Sequence, residues 1–273
     1  MNLPVVMSIA GSDNSAGAGV QADLKTFCAL GTYGVTAITC VVAEVPGIVS
    51  AIQPIEPRIV AEQIRLLFDA FPIAAVKTGM LYSREIIEAV ADALQSAIRN
   101  PQSAIPLVVD PVMIATSGDP LLREDAIALY RERLFPMANV ITPNLDEAGV
   151  LLGRPLASLE EMRIAGQELA ARFGTAILLK GGHLREAIAT DLLFADGEMH
   201  EFSAPFVPGI STHGTGCTYS AAIAASLAKG STLIDAVAAA KRFVTNAITS
   251  HLRWENDGRK TDALHHFAPM SGQ

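Results

Sequence analysis

The chain has 273 residues, of which 50% are hydrophobic and 18% are charged, and its formal net charge is −8. A chain of this length buries roughly three quarters of the surface that its unfolded form exposes. Such an apolar composition suits a parallel sheet covered on both faces. The acidic excess argues against a nucleic-acid partner, because neutralising phosphates requires an excess of Lys and Arg. A local anion site is still allowed, since a few backbone amides can hold a phosphate.

The three cysteines, Cys28, Cys40 and Cys217, form neither an even disulfide framework nor a metal-binding spacing. Free thiols of this kind are typical of a reducing cytoplasm. The first residues lack the basic segment and cleavage site of a signal peptide. Glycines interrupt the uncharged stretch 26–43, which disfavours a membrane span there. We therefore expect a cytoplasmic protein without a membrane partner, folded as one domain over residues 1–273.

Short apolar runs alternate with longer amphipathic runs along the chain. In chain order the pattern predicts strands at 4–10, 35–42, 74–76, 107–110, 139–141 and 176–179. Between and after them it predicts helices at 20–30, 58–71, 84–98, 124–134, 159–173, 217–227 and 233–252. A hairpin turn is predicted at 196–197. Residues 256–260 are predicted to form an exposed loop. The alternation indicates a mostly parallel sheet, in which ligands bind beyond the carboxyl ends of the strands.

The segment 212–217, THGTGC, precedes an Ala-rich helical run. Gly214 and Gly216 allow the backbone to approach a phosphate closely, and the free amides and dipole at a helix start favour an anion. Cys217 would begin the helix, a position that is expected to lower a thiol pKa. The alternative is a glycine turn that leads into a core helix with a buried cysteine, and a motif this short does not separate the two.

A second glycine-rich segment, GSDNSAGAG at 11–19, also joins a strand to a helix. Gly17, Gly19 and Ala22 match the dinucleotide fingerprint G-x-G-x-x-A, and Glu44 lies about where an acidic ribose ligand would be. The spacing argues against a dehydrogenase, because residues 11–16 separate the predicted strand from Gly17. A dehydrogenase would also leave segment 212–217 without a role.

Three further strand ends carry polar residues. Asp110 could hold a metal or cap a turn. Glu147 could bind a metal or only compensate a helix dipole. Lys180, which leaves an apolar strand into Gly-Gly, could reach a phosphate as a point charge. Together these parts suit phosphoryl transfer, although neither a P-loop nor the protein-kinase motifs occur in the sequence.

The order of these segments resembles the ribokinase-like superfamily, and within it the hydroxymethylpyrimidine/phosphomethylpyrimidine kinases of thiamine biosynthesis. The resemblance covers nearly the whole chain and is carried by the runs SIAGSDNSAGAGVQADLKTFCALGTYG, KTGML, DPVM, SGDPLL, ITPNLDEA, LLKGGH and THGTGCTYSAA. It implies a ribokinase-like three-layer α/β/α sandwich with a mostly parallel central sheet, the use of ATP and Mg²⁺, a small hydroxymethylpyrimidine substrate and a homodimer. The implied reaction is phosphorylation of 4-amino-5-hydroxymethyl-2-methylpyrimidine and then of its monophosphate. A pyridoxal/pyridoxine kinase is the alternative within this superfamily.

The resemblance also assigns roles to individual residues. It implies that an anion hole over the γ-phosphate is formed by Gly214, Thr215 and Gly216. It implies that Cys217 is the general base at the hydroxymethyl oxygen, and that Mg²⁺ is held, mostly through water, by Asp110 and Glu147. The residues expected to contact the nucleotide are Asn144, Lys180 and Lys241. The residues expected to line the ring pocket are Gly11, Asp23, Glu44, Met80, Val112 and His213.

Two positions depart from the family pattern. Ala16 replaces a usual glycine, and Glu44 replaces a usual glutamine, where the pyridoxal-phosphorylating relatives tend to have methionine. An ionised Glu44 could accept a hydrogen bond from a ring amine but could not donate one.

Two alternatives come from other classes of protein. One is an enzyme with a Cys217 nucleophile and His213, which requires a covalent intermediate. The other is a noncatalytic nucleotide sensor.

Overall fold

The computed structural model describes residues 2–98, 105–114, 122, 124–184, 187–210 and 213–268. In these parts of the chain one sheet is formed by β1 (Val5–Asp13), β2 (Tyr33–Val45), β3 (Ile48–Pro54), β4 (Ile73–Thr78), β5 (Leu107–Val109), β6 (Val140–Ile141), β7 (Ala176–Lys180), β8 (Ile188–Ala195) and β9 (Glu198–Pro205). A separate hairpin is formed by β10 (Leu252–Asn256) and β11 (Arg259–Ala263). The helices are α1 (Gly19–Ala29), α2 (Pro57–Ala70), α3 (Arg84–Ile98), α4 (Glu124–Leu129), α5 (Leu145–Leu152), α6 (Leu159–Phe173), α7 (Thr215–Ala228) and α8 (Leu233–Thr249).

The sheet has the order β3-β2-β1-β4-β5-β6-β7-β8-β9. The six strands from β2 to β7 in this order are parallel, whereas β3 pairs antiparallel at one edge and β8 and β9 at the other. The mostly parallel sheet predicted from the sequence is therefore confirmed.

Two hydrophobic clusters cover the two faces of this sheet. Helices α2 to α6 contribute to one cluster and α1, α7 and α8 to the other. Neighbouring strand residues alternate between the clusters, so that Leu107 and Val109 join the first and Val108 joins the second. Because helices pack on both faces, the central strands are apolar over most of their length, and the expected three-layer sandwich is confirmed.

Helices α3 and α6 have the bounds predicted from their helical periodicity. The helix predicted at 124–134 is α4, which continues as a π-helical turn over Tyr130–Leu134. The helix predicted at 233–252 ends at Thr249, because β10 begins at Leu252. The exposed loop predicted at 256–260 is the turn of the β10–β11 hairpin with its flanking strand residues.

The sequence analysis did not identify β3, β10 or β11. Residues 117–121 of the SGDPLL run and Thr212 lie outside the described residues. No helix in the described part of the chain is both long enough and apolar enough to span a membrane.

Candidate active site

A cleft of about 930 Å³ lies where the parallel strands end. Asp110 follows β5, the loop from Thr142 to Asn144 follows β6, and Lys180 ends β7. Because the carboxyl ends of parallel strands share one edge, these polar groups converge on the same space. The sequence-predicted residues that line the cleft are Gly11, Glu44, Met80, Asp110, Val112, Asn144, Glu147, Lys180, His213, Gly214, Thr215, Gly216, Cys217 and Lys241.

Asp13 organises the glycine-rich loop at the end of β1. Its Oδ1 accepts a hydrogen bond from the Ser15 amide at 2.7 Å, and its Oδ2 accepts from the amides of Gly17 and Ala18 at 3.1 and 2.8 Å. The same Oδ2 lies 3.0 Å from Nε2 of His213. Burial opposes ionisation, but these hydrogen bonds outweigh it and hold the pKa of Asp13 well below its usual range. Sequence reasoning missed Asp13, although an acid at the end of the first buried strand was a visible signal.

Glu44 lies near the end of β2, on the opposite side of this loop. Its backbone amide donates to Oδ1 of Asn14 at 2.6 Å, and its carboxyl lines the cleft. Burial and the charge of Asp13 raise the pKa of Glu44. One ligand atom from each of Asp13, Glu44 and His213 lies within 4.8 Å of the others. Because Asp13 already accepts from three amides, its contact with His213 helps to hold the loop.

The two glycine-rich loops meet in direct backbone contact. Gly214 caps α7 with φ +81°, and a Cβ at this position would lie 1.8 Å from the carbonyl oxygen of Gly17. The neighbouring departure from the family pattern, Ala16, has φ +59°. A left-handed residue with a side chain costs about 1–2 kcal/mol, which explains why glycine is favoured at position 16.

Cys217 lies in the first turn of α7, as predicted, but the lowered thiol pKa expected there is wrong. Burial raises the pKa of the Cys217 thiol to about 11, against the opposing effects of the Lys77 ammonium and a hydrogen bond from the Gly19 amide. Desolvation penalises the thiolate more than the helix start stabilises it. With its pKa raised in this way, the thiol is mainly protonated near pH 7.

Asp110 and Lys180 form an ion pair under the helix start. Lys180 Nζ donates to Asp110 Oδ1 at 2.8 Å, and Thr142 Oγ1 donates to the same oxygen at 3.0 Å. Ser220 Oγ donates to Oδ2 at 3.2 Å. Burial opposes ionisation, yet the lysine charges outweigh it and keep the pKa of Asp110 below its usual value.

Glu147 and Asn144 form a capping box at the start of α5. The Glu147 amide donates to Asn144 Oδ1 at 2.9 Å, and the Asn144 amide donates to Glu147 Oε2 at 2.8 Å. Burial raises the pKa of Glu147 to about 8, with Lys180 opposing and Asp110 adding to the increase. The carboxyls of Asp110 and Glu147 thus face one cleft beside the Lys180 ammonium. Hard oxygen donors of this kind fit Mg²⁺.

At the far end of the cleft, Lys241 of α8 is held against strand β8. Its Nζ donates to Asp191 Oδ2 at 2.7 Å and to the Ala189 carbonyl at 2.8 Å. Asp191 Oδ1 also accepts from the Gly181 amide at 2.9 Å. Asp191 therefore links the loop after β7 to Lys241, and sequence reasoning did not identify it.

Asp23 is the predicted site residue that the structure does not bring into the cleft lining. It is fully buried on α1, and Lys77 Nζ of β4 donates to its two oxygens at 2.9 and 2.8 Å. Ser8 Oγ of β1 also donates to Oδ2 at 2.5 Å. The carboxylate thus accepts three hydrogen bonds, and it lies outside the lining of the cleft.

Residues 13–262 match the profile of the phosphomethylpyrimidine kinase family. A hydroxymethylpyrimidine/phosphomethylpyrimidine kinase of Rhizobium meliloti is 46% identical over 96% of this chain and 97% of that protein. The phosphomethylpyrimidine kinase structure from Clostridium difficile has 38% identity and a TM-score of 0.77 over 90% of this chain and 99% of that chain. The structure of pyridoxal kinase from Staphylococcus aureus with AMP-PCP and pyridoxal has 34% identity and a TM-score of 0.86 over 98% and 95% of the two chains.

The fold is that of the ribokinase-like kinases of small molecules. Within this class, the chain belongs to the phosphomethylpyrimidine kinase family.

Proposed function

We propose that this protein transfers the γ-phosphoryl group of ATP to the hydroxymethyl oxygen of 4-amino-5-hydroxymethyl-2-methylpyrimidine. In a second round it phosphorylates the resulting monophosphate to the diphosphate, as a step of thiamine biosynthesis. The observation that carries the proposal is the convergence of charged strand ends and an open helix start on one cleft, in a chain 46% identical to a kinase of that name.

The ring would lie at the end of the cleft lined by Gly11, Glu44, Met80, Val112 and His213. The hydroxymethyl oxygen would then point toward Cys217, whose thiolate form, disfavoured by the raised pKa of the thiol, would take its proton as the oxygen attacks the γ-phosphorus. The amides of Gly214, Thr215 and Gly216 would stabilise the charge that develops on the transferring group. In the second round the acceptor is an ionised phosphate, so the base matters less.

The nucleotide would occupy the other end of the cleft. Lys180 and Asn144 would contact its phosphates, and Lys241 would lie beside it. Asp110 and Glu147 would hold Mg²⁺, largely through water, and the ion would neutralise charge on the phosphates. Support for ATP comes from the Staphylococcus aureus relative, whose structure contains the ATP analogue AMP-PCP.

A pyridoxal kinase is the second candidate, because pyridoxal kinases are among the structural neighbours with high TM-scores. The sequence comparisons favour the pyrimidine, since a kinase of that name reaches 46% identity. Glu44 also favours it, because a carboxyl can accept from the exocyclic amine of an aminopyrimidine.

The test is a coupled assay of ADP release with hydroxymethylpyrimidine, its monophosphate and pyridoxal, each with and without Mg²⁺. We expect Mg²⁺-dependent turnover of both pyrimidines and slower turnover of pyridoxal. Faster turnover of pyridoxal would replace the proposal with the second candidate. ATP hydrolysis without a phosphorylated product would overturn both. Cys28→Ala is the matched control for Cys217 variants, because Cys28 is an exposed free thiol.

A homodimer in the cytoplasm completes the proposal. The β2–β3 hairpin at the sheet edge supports self-association, because Val41, Ile48 and Val49 are each about half exposed there. Light scattering should give twice the mass of the chain, and a monomer at micromolar concentration would contradict this part alone.

A further inference from the structure

A nearly buried ion pair, formed by Asp191 and Lys241, belongs to the lining of the cleft. The Asp191 side chain is 4% exposed and the Lys241 side chain is 11% exposed. Replacing a buried pair of this kind with apolar residues is often neutral or stabilising, because the desolvation of two charges offsets their attraction. Stability alone is therefore a weak explanation for an ion pair at this place.

The two oxygens of Asp191 hold two different parts of the cleft. Oδ2 accepts from Nζ of Lys241 on α8 at 2.7 Å, and Oδ1 accepts from the amide of Gly181 at 2.9 Å. Asp191 is the partner of Lys180 in the antiparallel pairing of β7 with β8. Gly181 is pressed against β8, since a Cβ there would lie 2.0 Å from the Thr190 carbonyl oxygen. One carboxylate thus connects the lysine of α8 with the segment that follows the lysine of β7.

The contacts of Lys241 leave one donor for a ligand. Its ammonium carries three N–H groups, and it donates to Asp191 Oδ2 at 2.7 Å and to the Ala189 carbonyl oxygen at 2.8 Å. Among the residues that the structure describes these are its two acceptors, so the third N–H is left for the cleft that Lys241 lines. Fixing the long side chain at two points removes most of its freedom before a ligand arrives, and such pre-organisation strengthens binding.

We propose that Asp191 is a positioning residue for the nucleotide: it holds the Lys241 ammonium and the backbone after Lys180 in the geometry that binds ATP. The inference rests on the proposed function, in which both lysines lie at the nucleotide. It extends that function to a residue outside every motif of the sequence. Asp191 needs no contact of its own with ATP, because it acts through Lys241 and the Gly181 amide.

The Asp191 carboxylate has two opposing effects on an anionic nucleotide. It cancels part of the Lys241 charge, which weakens the attraction of the phosphates. It also fixes the ammonium, which would otherwise keep only the Ala189 carbonyl as an acceptor. Attraction between charges is strongly screened where solvent enters a cleft, whereas a charge-assisted hydrogen bond requires its donor in place. The positional effect therefore dominates, and loss of Asp191 weakens nucleotide binding.

The test is a double-mutant cycle on the binding of AMP-PCP with Mg²⁺, measured by titration calorimetry in wild type, Asp191→Asn, Lys241→Met and the double variant. The asparagine keeps an oxygen for the Gly181 amide and removes the charge that holds Lys241. Each single variant should bind AMP-PCP about tenfold more weakly than wild type, and the double variant should match Lys241→Met. Asp262→Asn is the matched control, because it breaks a pair with Arg253 outside the cleft lining, and it should bind as wild type does.

Kinetics provide a readout that a purely structural role would not give. Asp191→Asn should raise KM for ATP about tenfold and leave both kcat and KM for hydroxymethylpyrimidine within about threefold of wild type. Asp191→Ala, which also removes the acceptor of the Gly181 amide, should lower kcat as well, because the backbone after Lys180 loses its anchor.

AMP-PCP affinity of Asp191→Asn equal to that of wild type would overturn the inference and leave the proposed function intact. A double variant that binds about tenfold more weakly than Lys241→Met would also overturn it, because Asp191 would then act independently of Lys241. If Asp191→Asn does not fold with its lysine unpaired, the double variant, which removes both charges, decides by this last comparison. A wild type that binds no AMP-PCP would refute the proposed function together with the inference.

Discussion

Gly214→Ala is the substitution whose effect the structure defines most sharply. The added Cβ would lie 1.8 Å from the Gly17 carbonyl oxygen, 2.7 Å from the Gly17 carbonyl carbon and 3.2 Å from the Ala18 Cα. These are backbone atoms that Asp13 holds through the amides of Gly17 and Ala18, so they cannot move aside as a flexible side chain would. The two glycine-rich loops must separate by more than about 1 Å to reach ordinary contact.

The expected loss has a conformational part and a positional part. Alanine in the left-handed region costs about 1–2 kcal/mol, and a displacement of about 1 Å at a catalytic group can lower the rate about 100-fold. Gly230→Ala is the matched control, because Gly230 has φ +85° and no atom within 4 Å of its added Cβ. We expect both variants to lose thermal stability, with only Gly214→Ala losing about 100-fold in turnover in the ADP-release assay.

Turnover within about threefold of wild type, together with a stability loss equal to that of Gly230→Ala, would contradict this expectation for Gly214→Ala. Such a result would mean that the close approach of the two loops does not position the phosphoryl group.

Three other predictions concern charged and reactive groups of the cleft. Cys217→Ala should lower turnover of the hydroxymethyl substrate by about 10²–10⁴-fold and turnover of the monophosphate much less. Equal losses for the two substrates in separate steady-state assays would contradict the base role of Cys217. Lys180→Met should lower turnover about 10²–10³-fold. It should also destabilise the protein more without Mg²⁺ than with it, because Asp110 loses its ammonium partner. Thermal unfolding measured in Mg²⁺ and in chelator checks the second effect. Burial lowers the pKa of His213 and the Asp13 carboxylate raises it, and the net effect is an increase. The pairing of His213 with Asp13 therefore stabilises the fold fully below about pH 6.5 and less as the pH rises through the raised pKa. The advantage of wild type over His213→Gln in thermal unfolding should therefore shrink as the pH rises above about 6.5, and an advantage that grows with pH would be inconsistent with the pair.

The regular part of the fold was predictable because its signals are local. The apolar spacing of α3 and α6 gave their bounds to the residue, and glycine-rich segments marked where loops follow strands. The β10–β11 hairpin was not predicted because none of its strand residues is buried, so the strands leave little apolar alternation in the sequence. The edge strand β3 was not predicted for the same reason, since most of its residues are also exposed.

Much of the candidate site was also predictable, since residues at the ends of parallel strands must share one edge of the sheet. What the sequence could not give is the electrostatic state of each group, which depends on burial. The thiol of Cys217 is the example, because the helix start and desolvation act in opposite directions and only the structure decides between them. Asp23 was misplaced because its partner Lys77 is 54 residues away in the sequence. A lysine within the apolar run AAVKTG was a signal that could have identified the pair.

The bond between Asp13 and His213 spans 200 residues of sequence. During translation, the first loop leaves the ribosome long before the histidine that completes it has been made. Contacts this distant form late, after most of the chain-closing entropy has been lost. A nascent chain halted before residue 213 would contain all nine strands of the main sheet, but it would lack the histidine that anchors the first loop, so phosphorylation activity must wait for the last quarter of the polypeptide.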